Sequence, residues 1–391
     1  MSSSNQVRLT SIKETTYGET PAVGNFKTLR FTSEALSGSP ETTESALIRT
    51  DRQSSGQVAT GLTVGGAINV ELAKDSVLED FFESAMFNSW QTPAPITVDL
   101  TIDATAKTIT RAAGDFNNDL AVGDLLILTN FLNSANNTQV MVAEIQSATV
   151  IRYVGPTLVD EAGEGTDFKV ADYLTIGTKA SRVSMSIEKA FLDLTNKAIN
   201  YRGQIANTMN LSIAYGAIVT ASFEMMGNDY DPVDAAVDFM TDGRTINSPA
   251  TTNPLNGSID MPFIANAADG TFDESLFCIQ NVELNLNNNL NPQNCIGKVA
   301  PDDYTEGTAQ IGISLNTYLA DDNWVLIAKK LSQTPFSLGF MVKNTDGYYG
   351  FYLPAIQVSF DDPQAAGQNQ DVIMNTSGVA KGGANGESSL K

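Results

Sequence analysis

The chain has 391 residues, of which 42% are hydrophobic, enough for a sizeable core spread over roughly two to three domains. It carries 23 Lys and Arg against 45 Asp and Glu, a formal net charge of −22, so it repels nucleic-acid phosphate and anionic lipid instead of gathering them. It contains no His, which removes the commonest acid/base and metal-ligand side chain and excludes Ser-His-Asp and Cys-His catalysis outright.

Residues 1–25 are polar and broken by Gly18, Pro21 and Gly24, a composition that predicts an extended arm. Alternation of apolar and polar residues then predicts half-buried strands over residues 26–32, with Leu29 and Phe31 on one face, and over residues 67–72, with Ile68, Val70 and Leu72 on one face. Between them, residues 37–61 are rich in Ser, Thr, Gly and charge, too long for an ordinary turn, and are expected to form a disordered or functional loop. Ser76 and Glu79 match a capping box ahead of Val77, Leu78, Phe81, Phe82, Ala85 and Met86 at helical spacing, so a helix with its apolar face on a sheet is expected here.

The segment QTPAPI marks a boundary, and residues 95–176 hold several short strand patterns separated by Gly, Asn and Asp turns. They read as an inserted small β-domain. Its eleven acidic residues against four basic ones make it acidic on its own account, as suits the outer surface of a scaffold. Strand patterns resume at Val183/Met185/Ile187, Met209/Leu211/Ile213, Val282/Leu284/Leu286, Ile311/Ile313/Leu315 and Ile356/Val358/Phe360. A second helix is expected over residues 321–331, with Trp324, Ile327, Ala328 and Leu331 on a core-facing side. The end, NTSGVAKGGANGESSLK, reads as a low-complexity tail.

The residues that carry chemistry elsewhere are weakly arranged here. Ser186-Ile187-Glu188-Lys189 matches the S-x-x-K pattern of Ser-Lys hydrolases, but its Ser and Glu are expected on the solvated face of a strand. Asp115, Asn117 and Asp119 open like an EF-hand loop, yet Leu120 and Leu126 stand where Gly and Glu are needed, so a turn is expected. Asp229, Asp231, Asp234 and Asp238 read as an exposed acidic face before a cation site. Cys278 and Cys295 lack C-x-x-C spacing and are expected as buried thiols. Neither a phosphate-binding loop nor a dinucleotide fingerprint is present, and no catalytic residue, cofactor or metal is called for. No stretch reaches the roughly 18 apolar residues of a membrane span or forms a signal-peptide core, which points to a protein made and kept in a cytoplasm.

The order of phrases ETTYGETPAVGNFKTLRFTSEAL, ALIRTDRQ, GLTVGGAINVELA, NTMNLSIAYGAIVTASFEMMG, VELNLNNNLNPQNCIG and QVSFDDPQAAGQNQDVIM resembles the tail tube (major tail) proteins of long-tailed bacteriophages, in the subgroup with an internal β-domain. The resemblance implies a mainly β fold, a tail-tube β-sandwich flanked by a helix over residues 26–94 and 177–374, with the insert at 95–176 and arms at 1–25 and 375–391. It implies homo-hexameric rings stacked into a tube of the virion tail, with tape-measure protein and DNA in the lumen without sequence-specific binding. Tail terminator and distal tail proteins are the other implied partners; no membrane and no cofactor are involved. Arg49, Asp51 and Arg52 become candidate inter-ring contacts, and Tyr17, Lys381 and Lys391 candidate arm contacts. As alternatives, the Arg49-Asp51-Arg52 cluster is a solvated loop, and Asn287, Asn288 and Asn289 form a turn. Two other functions stay open: a binding module for a host-surface polymer, and a capsid or decoration protein.

Overall fold

The computed structural model describes residues 2–266, 272–273, 278–321, 323–365, 367–383 and 387–391. The fold is mainly β. Twelve strands and two helices position the surfaces of interest: β1 (Val7–Lys13), β2 (Phe26–Leu29), β3 (Ser37–Glu44), β4 (Gln57–Glu71), α1 (Ser76–Met86), β5 (Met185–Phe191), β6 (Lys197–Ala214), β7 (Thr220–Gly227), β8 (Ile279–Asn287), β9 (Gln310–Tyr318), α2 (Trp324–Ser332), β10 (Phe336–Lys343), β11 (Tyr348–Ser359) and β12 (Ile373–Lys381). All twelve strands belong to one 17-stranded sheet. Its long run is antiparallel throughout, in the order β3, β4, β7, β6, β8, β9, β12, β11, β10.

Strand β6 links two parts of that sheet. Its first half pairs with β5, which pairs with β1, which pairs with β2; its second half pairs with β7 and β8. Between the halves, Gly203 has φ +65, and a Cβ there would lie 2.3 Å from Asn228 Oδ1. Only glycine turns the strand there without a clash.

Helix α1 packs against the sheet as expected, with nine of its eleven residues buried. Phe81 meets Phe223 of β7 at 5.3 Å between ring centroids, and Phe82 meets Tyr349 of β11 at 5.4 Å. The cap expected from Ser76 comes one residue earlier: the Asp75 carboxylate accepts from Val77 N at 3.1 Å, because Asp75 is the residue with extended backbone before the first turn. The carboxylates that α1 buries, Asp80 and Glu83, are met by Lys13 and Lys27 from β1 and β2. Asn288 is buried, and its Nδ2 donates to Ala85 O at 2.8 Å and Ala206 O at 3.0 Å, tying the end of α1 to β6. Asn289 beside it makes the expected turn, with φ +50.

The extended arm expected over residues 1–25 is not there. β1 is an interior strand with Leu9, Thr10, Ser11 and Ile12 buried. Glu14 then closes the following turn, accepting from Gly18 N, Ser184 Oγ, Ser186 Oγ and Gly203 N at 2.7–2.8 Å. These bonds satisfy a segment whose polarity suggested exposure. They also correct the reading of Ser186 and Glu188, both fully buried: Glu188 accepts from Thr241 Oγ1 at 2.5 Å, and Arg8 lies 3.8 Å away. The tail expected from residue 375 is likewise occupied by β12, paired with β9 and β11.

A second sheet of eight strands is drawn wholly from Ile96–Thr97 through Asp167–Val170. Its core holds Phe116, Leu128, Tyr153 and Phe168. Leu125, Met141 and Val154 pack against Met261, Phe263, Met341 and Tyr352 of the main body. Asp115 caps a single helical turn by accepting from Asn117 N, and Asp119 pairs with Arg111, so the EF-hand-like residues form a turn. Cys278 and Cys295, expected to be buried, are both exposed and free.

Candidate assembly surfaces

Period-2 alternation in β4, β7, β6, β8, β9 and β12 sends apolar side chains to the α1 side and leaves a second face outward. On the inner side lie Ile68, Val70, Phe223, Met209, Leu211, Val282, Leu284, Leu286, Ile311, Ile313, Leu315 and Met374, all buried. Strand register aligns the outward residues in rows. One runs Ser33, Asn69, Ser222, Asn210, Asn285, Gly312, Val379. The next runs Glu71, Thr220, Ser212, Glu283, Ser314, Ser377. A third runs Ala67, Glu224, Thr208, Asn287, Gln310.

This face is built from short amides and hydroxyls. Asn285 donates to Asn210 across two strands, and Asn69 to Ser33 at 2.8 Å. Its charges are the carboxylates Glu71, Glu224 and Glu283, with Lys381 at the end of β12 as the cation beside these rows; the cations of β6, Lys197 and Arg202, lie in its first half, outside them. Lys381 was expected as an arm contact; the structure puts it at a corner of the polar face, its backbone opposite Ala355.

The second surface is the ribbon β3–β4. Residues 37–61, expected as a loop, are largely a hairpin in register from Ser37↔Gly65 to Glu44↔Gln57. All of residues 57–60 are exposed although they alternate along a strand. At the tip Leu47 is 75% and Ile48 101% exposed. Arg49 binds Asp51 through Nε and Nη2 at 2.9 and 2.5 Å, and this bond holds the Asp51 carboxyl below its ordinary range. Arg52 makes no ion pair among the described residues and has φ +61. The three predicted residues are thus together, exposed, on a projecting tip.

The two other predicted contacts lie within the chain. Burial pushes the Tyr17 phenol up, with Tyr304 and nearby carboxylates adding to the shift and Arg182 opposing it; the Arg182 guanidinium sits 4.8 Å above its ring. Lys391 pairs with Asp124, lies 4.1 Å from the Tyr173 ring, and exchanges backbone hydrogen bonds with Tyr352. The carboxylates Asp229 and Asp231 lie beside Arg202, and Asp234 beside Lys197. No cluster suited to a metal ion occurs among the described residues.

A third surface was missed. Helix α2 was expected to bury Trp324 and Leu331; instead Leu326 is buried and Lys329 nearly so, while Trp324 is 60% and Leu331 83% exposed. The pattern W-x-x-x-A-x-x-L has correct helical spacing, but periodicity alone does not say which side of a helix meets the sheet.

These surfaces define a mainly β structural subunit. The chain belongs to the phage tail tube protein family, whose model matches residues 4–380, nearly the whole length. The resemblance drawn from its phrases is borne out. It is a structural component of a virion tail that assembles with other tail proteins into a tube. No curated protein matches the chain.

Proposed function

We propose that copies of this chain close into hexameric rings that stack as the tail tube, and that the polar outward face of β4, β7, β6, β8, β9 and β12 lines the bore through which DNA is delivered. The observation that carries this reading is the face itself: three aligned rows of Asn, Ser, Thr and Gln, three carboxylates, and a cation only at one corner. Such a wall gives DNA phosphates no patch of Lys or Arg to hold them, and the Glu side chains repel them across roughly 8–10 Å at physiological salt. Amides and hydroxyls keep the wall hydrated without fixing any base sequence. The repulsion expected from the net charge thus rests on few positions, and uncharged polarity makes up the rest.

In this arrangement the second sheet decorates the outside of the tube, as an inserted domain over residues 95–176. Tape-measure protein occupies the bore before DNA, tail terminator and distal tail proteins close the ends, and assembly takes place in the host cytoplasm. Electron microscopy of the purified chain over a range of concentrations tests the reading. Rings or tubes with six-fold averages and a bore wide enough for duplex DNA are expected; closed shells or trimers would sink it. For the bore, Glu224→Lys with Glu283→Lys is expected to slow DNA ejection from assembled particles, and ejection at the native rate removes this face from the lumen.

A further inference from the structure

Where the second sheet meets the main body, the two line a cleft of about 480 Å³, within the roughly 300–1,000 Å³ of small-molecule sites. Phe82 of α1 and Met209 of β6 place it on the α1 side of the long sheet, opposite the polar face, and with Leu125 and Met141 of the second sheet they supply a buried apolar lining. Three partly exposed aromatic side chains stand around it: Trp90 just beyond α1, Tyr173 just after the last strand of the second sheet, and Tyr348 at the start of β11. The Trp90 indole N–H donates to Glu79 O at 3.3 Å, and Tyr173 exchanges two backbone hydrogen bonds with Gln91, so both are held in place.

The charges of the cleft are matched within the chain. Lys74 pairs with Glu79 at 2.5 Å, Lys169 with Asp172 at 2.9 Å, and Lys391 with Asp124. Asp346, the remaining carboxylate of the lining, accepts from Asn253 N at 2.7 Å and from its Nδ2 at 2.9 Å. A ligand anion meets every ammonium already beside a carboxylate, and a ligand cation meets every carboxylate already bonded, so neither sign of charge is favoured. Bonding capacity is left over all the same: an ammonium has three N–H groups and a carboxylate about four lone-pair sites, and one ion pair uses only part of either. Hydroxyls suit that remainder, because each one both donates and accepts. The aromatic rings call for something else, a flat face of C–H groups against their electron-rich faces. Lys391 already lies 4.1 Å from the Tyr173 ring, whereas Lys74 is 5.9 Å from Trp90, at the outer limit of a cation–π contact. Trp90 and Tyr348 are therefore the platforms.

We infer that this cleft binds a neutral saccharide ring, its C–H face against Trp90 and Tyr348 and its hydroxyls on the Lys74–Glu79 and Lys169–Asp172 pairs. A sugar ring carries both surfaces the cleft asks for, an apolar face and a rim of groups that donate and accept. Every residue of the site comes from one copy of the chain, so the inference goes beyond the tube reading and does not depend on it.

The chain has two Trp, and Trp324→Phe leaves Trp90 as its single indole, an emission reporter inside the cleft. The full chain with that change is titrated with glucose, galactose, mannose and N-acetylglucosamine to tens of millimolar, and saturation-transfer NMR on the wild-type chain records contact with the sugar protons. A saturable change in Trp90 emission, with saturation transfer, is expected for at least one of the four. Tyr348→Ala and Asp172→Asn are each expected to weaken that binding about tenfold. Lys169→Ala, at a partly exposed position, is expected to weaken it in the same sense and serves if Tyr348→Ala does not fold. No saturable change with any of the four sugars overturns the inference. So does tighter binding of glucuronic acid or glucose 6-phosphate than of glucose, which would make the site one for anions, and so does binding that Asp172→Asn and Lys169→Ala both leave unchanged. None of these outcomes bears on rings or tubes, which microscopy decides separately.

Discussion

Residues 1–25 and residues 37–61 look alike as sequence, both polar and both punctuated by Gly and Pro, yet the fold treats them in opposite ways. The first segment holds β1 in the interior, hydrogen-bonded on both edges to β2 and β5. The second leaves the body as a ribbon whose outer strand, β3, has β4 as its only strand partner among the described residues. Two features separate them. β1 has Leu9 and Ile12 to bury, whereas SGSPETTE in β3 has no side chain that gains from leaving water. The N-terminal segment also satisfies its polar groups locally through Glu14, while the hairpin places its groups in solvent. An isolated two-stranded ribbon is marginal by itself, and an unpaired strand edge invites another chain. The first segment is therefore part of the fold and the second part of the assembly.

The largest effect that follows is from truncation. Deleting residues 1–24 removes Lys13 and Glu14 from their contacts and removes β1, the interior strand that pairs with β2 on one edge and β5 on the other. Loss of the cooperative unfolding transition is expected in circular dichroism. A truncated chain that still unfolds cooperatively near the native midpoint would return this segment to the status of an arm. A single substitution comes next: Glu14→Ala leaves two backbone N–H groups and two serine hydroxyls without their acceptor. A loss of roughly 2–4 kcal/mol is expected in urea unfolding, from about 1–3 kcal/mol per stranded group with partial rescue by water.

Titration distinguishes the two segments again. Burial raises the Tyr17 phenol and pushes Tyr304, which donates to Gly227 O, up to about 12. For Lys13, burial opposes the charge, but hydrogen bonds and charge from Glu83 and Asp80 outweigh it and the pKa is raised. All three are raised folded-state values. Their stabilisation is present in full below the unfolded values of 10.0 for Tyr and 10.5 for Lys, and it is lost as pH rises from there through the folded values. Denaturant stability measured from pH 8 to 11 is expected to hold until about pH 10 and then fall, and Tyr304→Phe should blunt that fall. The hairpin pair Arg49–Asp51 is fully exposed, so no comparable step is expected from it.

Strand periodicity was the most legible part of the sequence. The alternating residues of β4, β6, β8 and β9 are the ones found buried, because each strand has one face on the core and one in water, the condition that makes alternation visible. The tip residues Arg49, Asp51 and Arg52, singled out by the resemblance, lie together on an exposed tip, and their contact with another ring belongs to the proposed stacking. What was illegible depends on contacts far apart in the chain. Ser186 and Glu188 look solvated until Glu14 and Thr241 arrive to bind them. Tyr17 and Lys391 look free until Arg182 and Asp124 are placed beside them. The open side of α2 is hidden for the same reason, since its pattern fits burial of either face.

The smallest expected effect on the single copy is also the sharpest test of the contrast. Replacing residues 46–55 by a short Gly-Ser turn removes Leu47, Ile48, Arg49, Asp51 and Arg52 together, but none of the buried side chains. Their mutual hydrogen bonds lie in solvent, where an ion pair contributes little to stability. Monomer stability should therefore change by no more than about 0.5 kcal/mol in urea, as for surface changes in general, while sedimentation and electron microscopy should show assembly lost. The two readouts separate the two segments: truncation at the N-terminus removes the fold and assembly with it, whereas the tip deletion removes assembly alone. If the tip deletion costs several kcal/mol in the monomer, the ribbon is stabilising its own copy, and the division between a folding segment and an assembling segment fails. If monomer stability and tube yield are both unchanged, the exposed apolar pair at the tip has no partner, and the joints between copies must be sought at the other edges of the sheet.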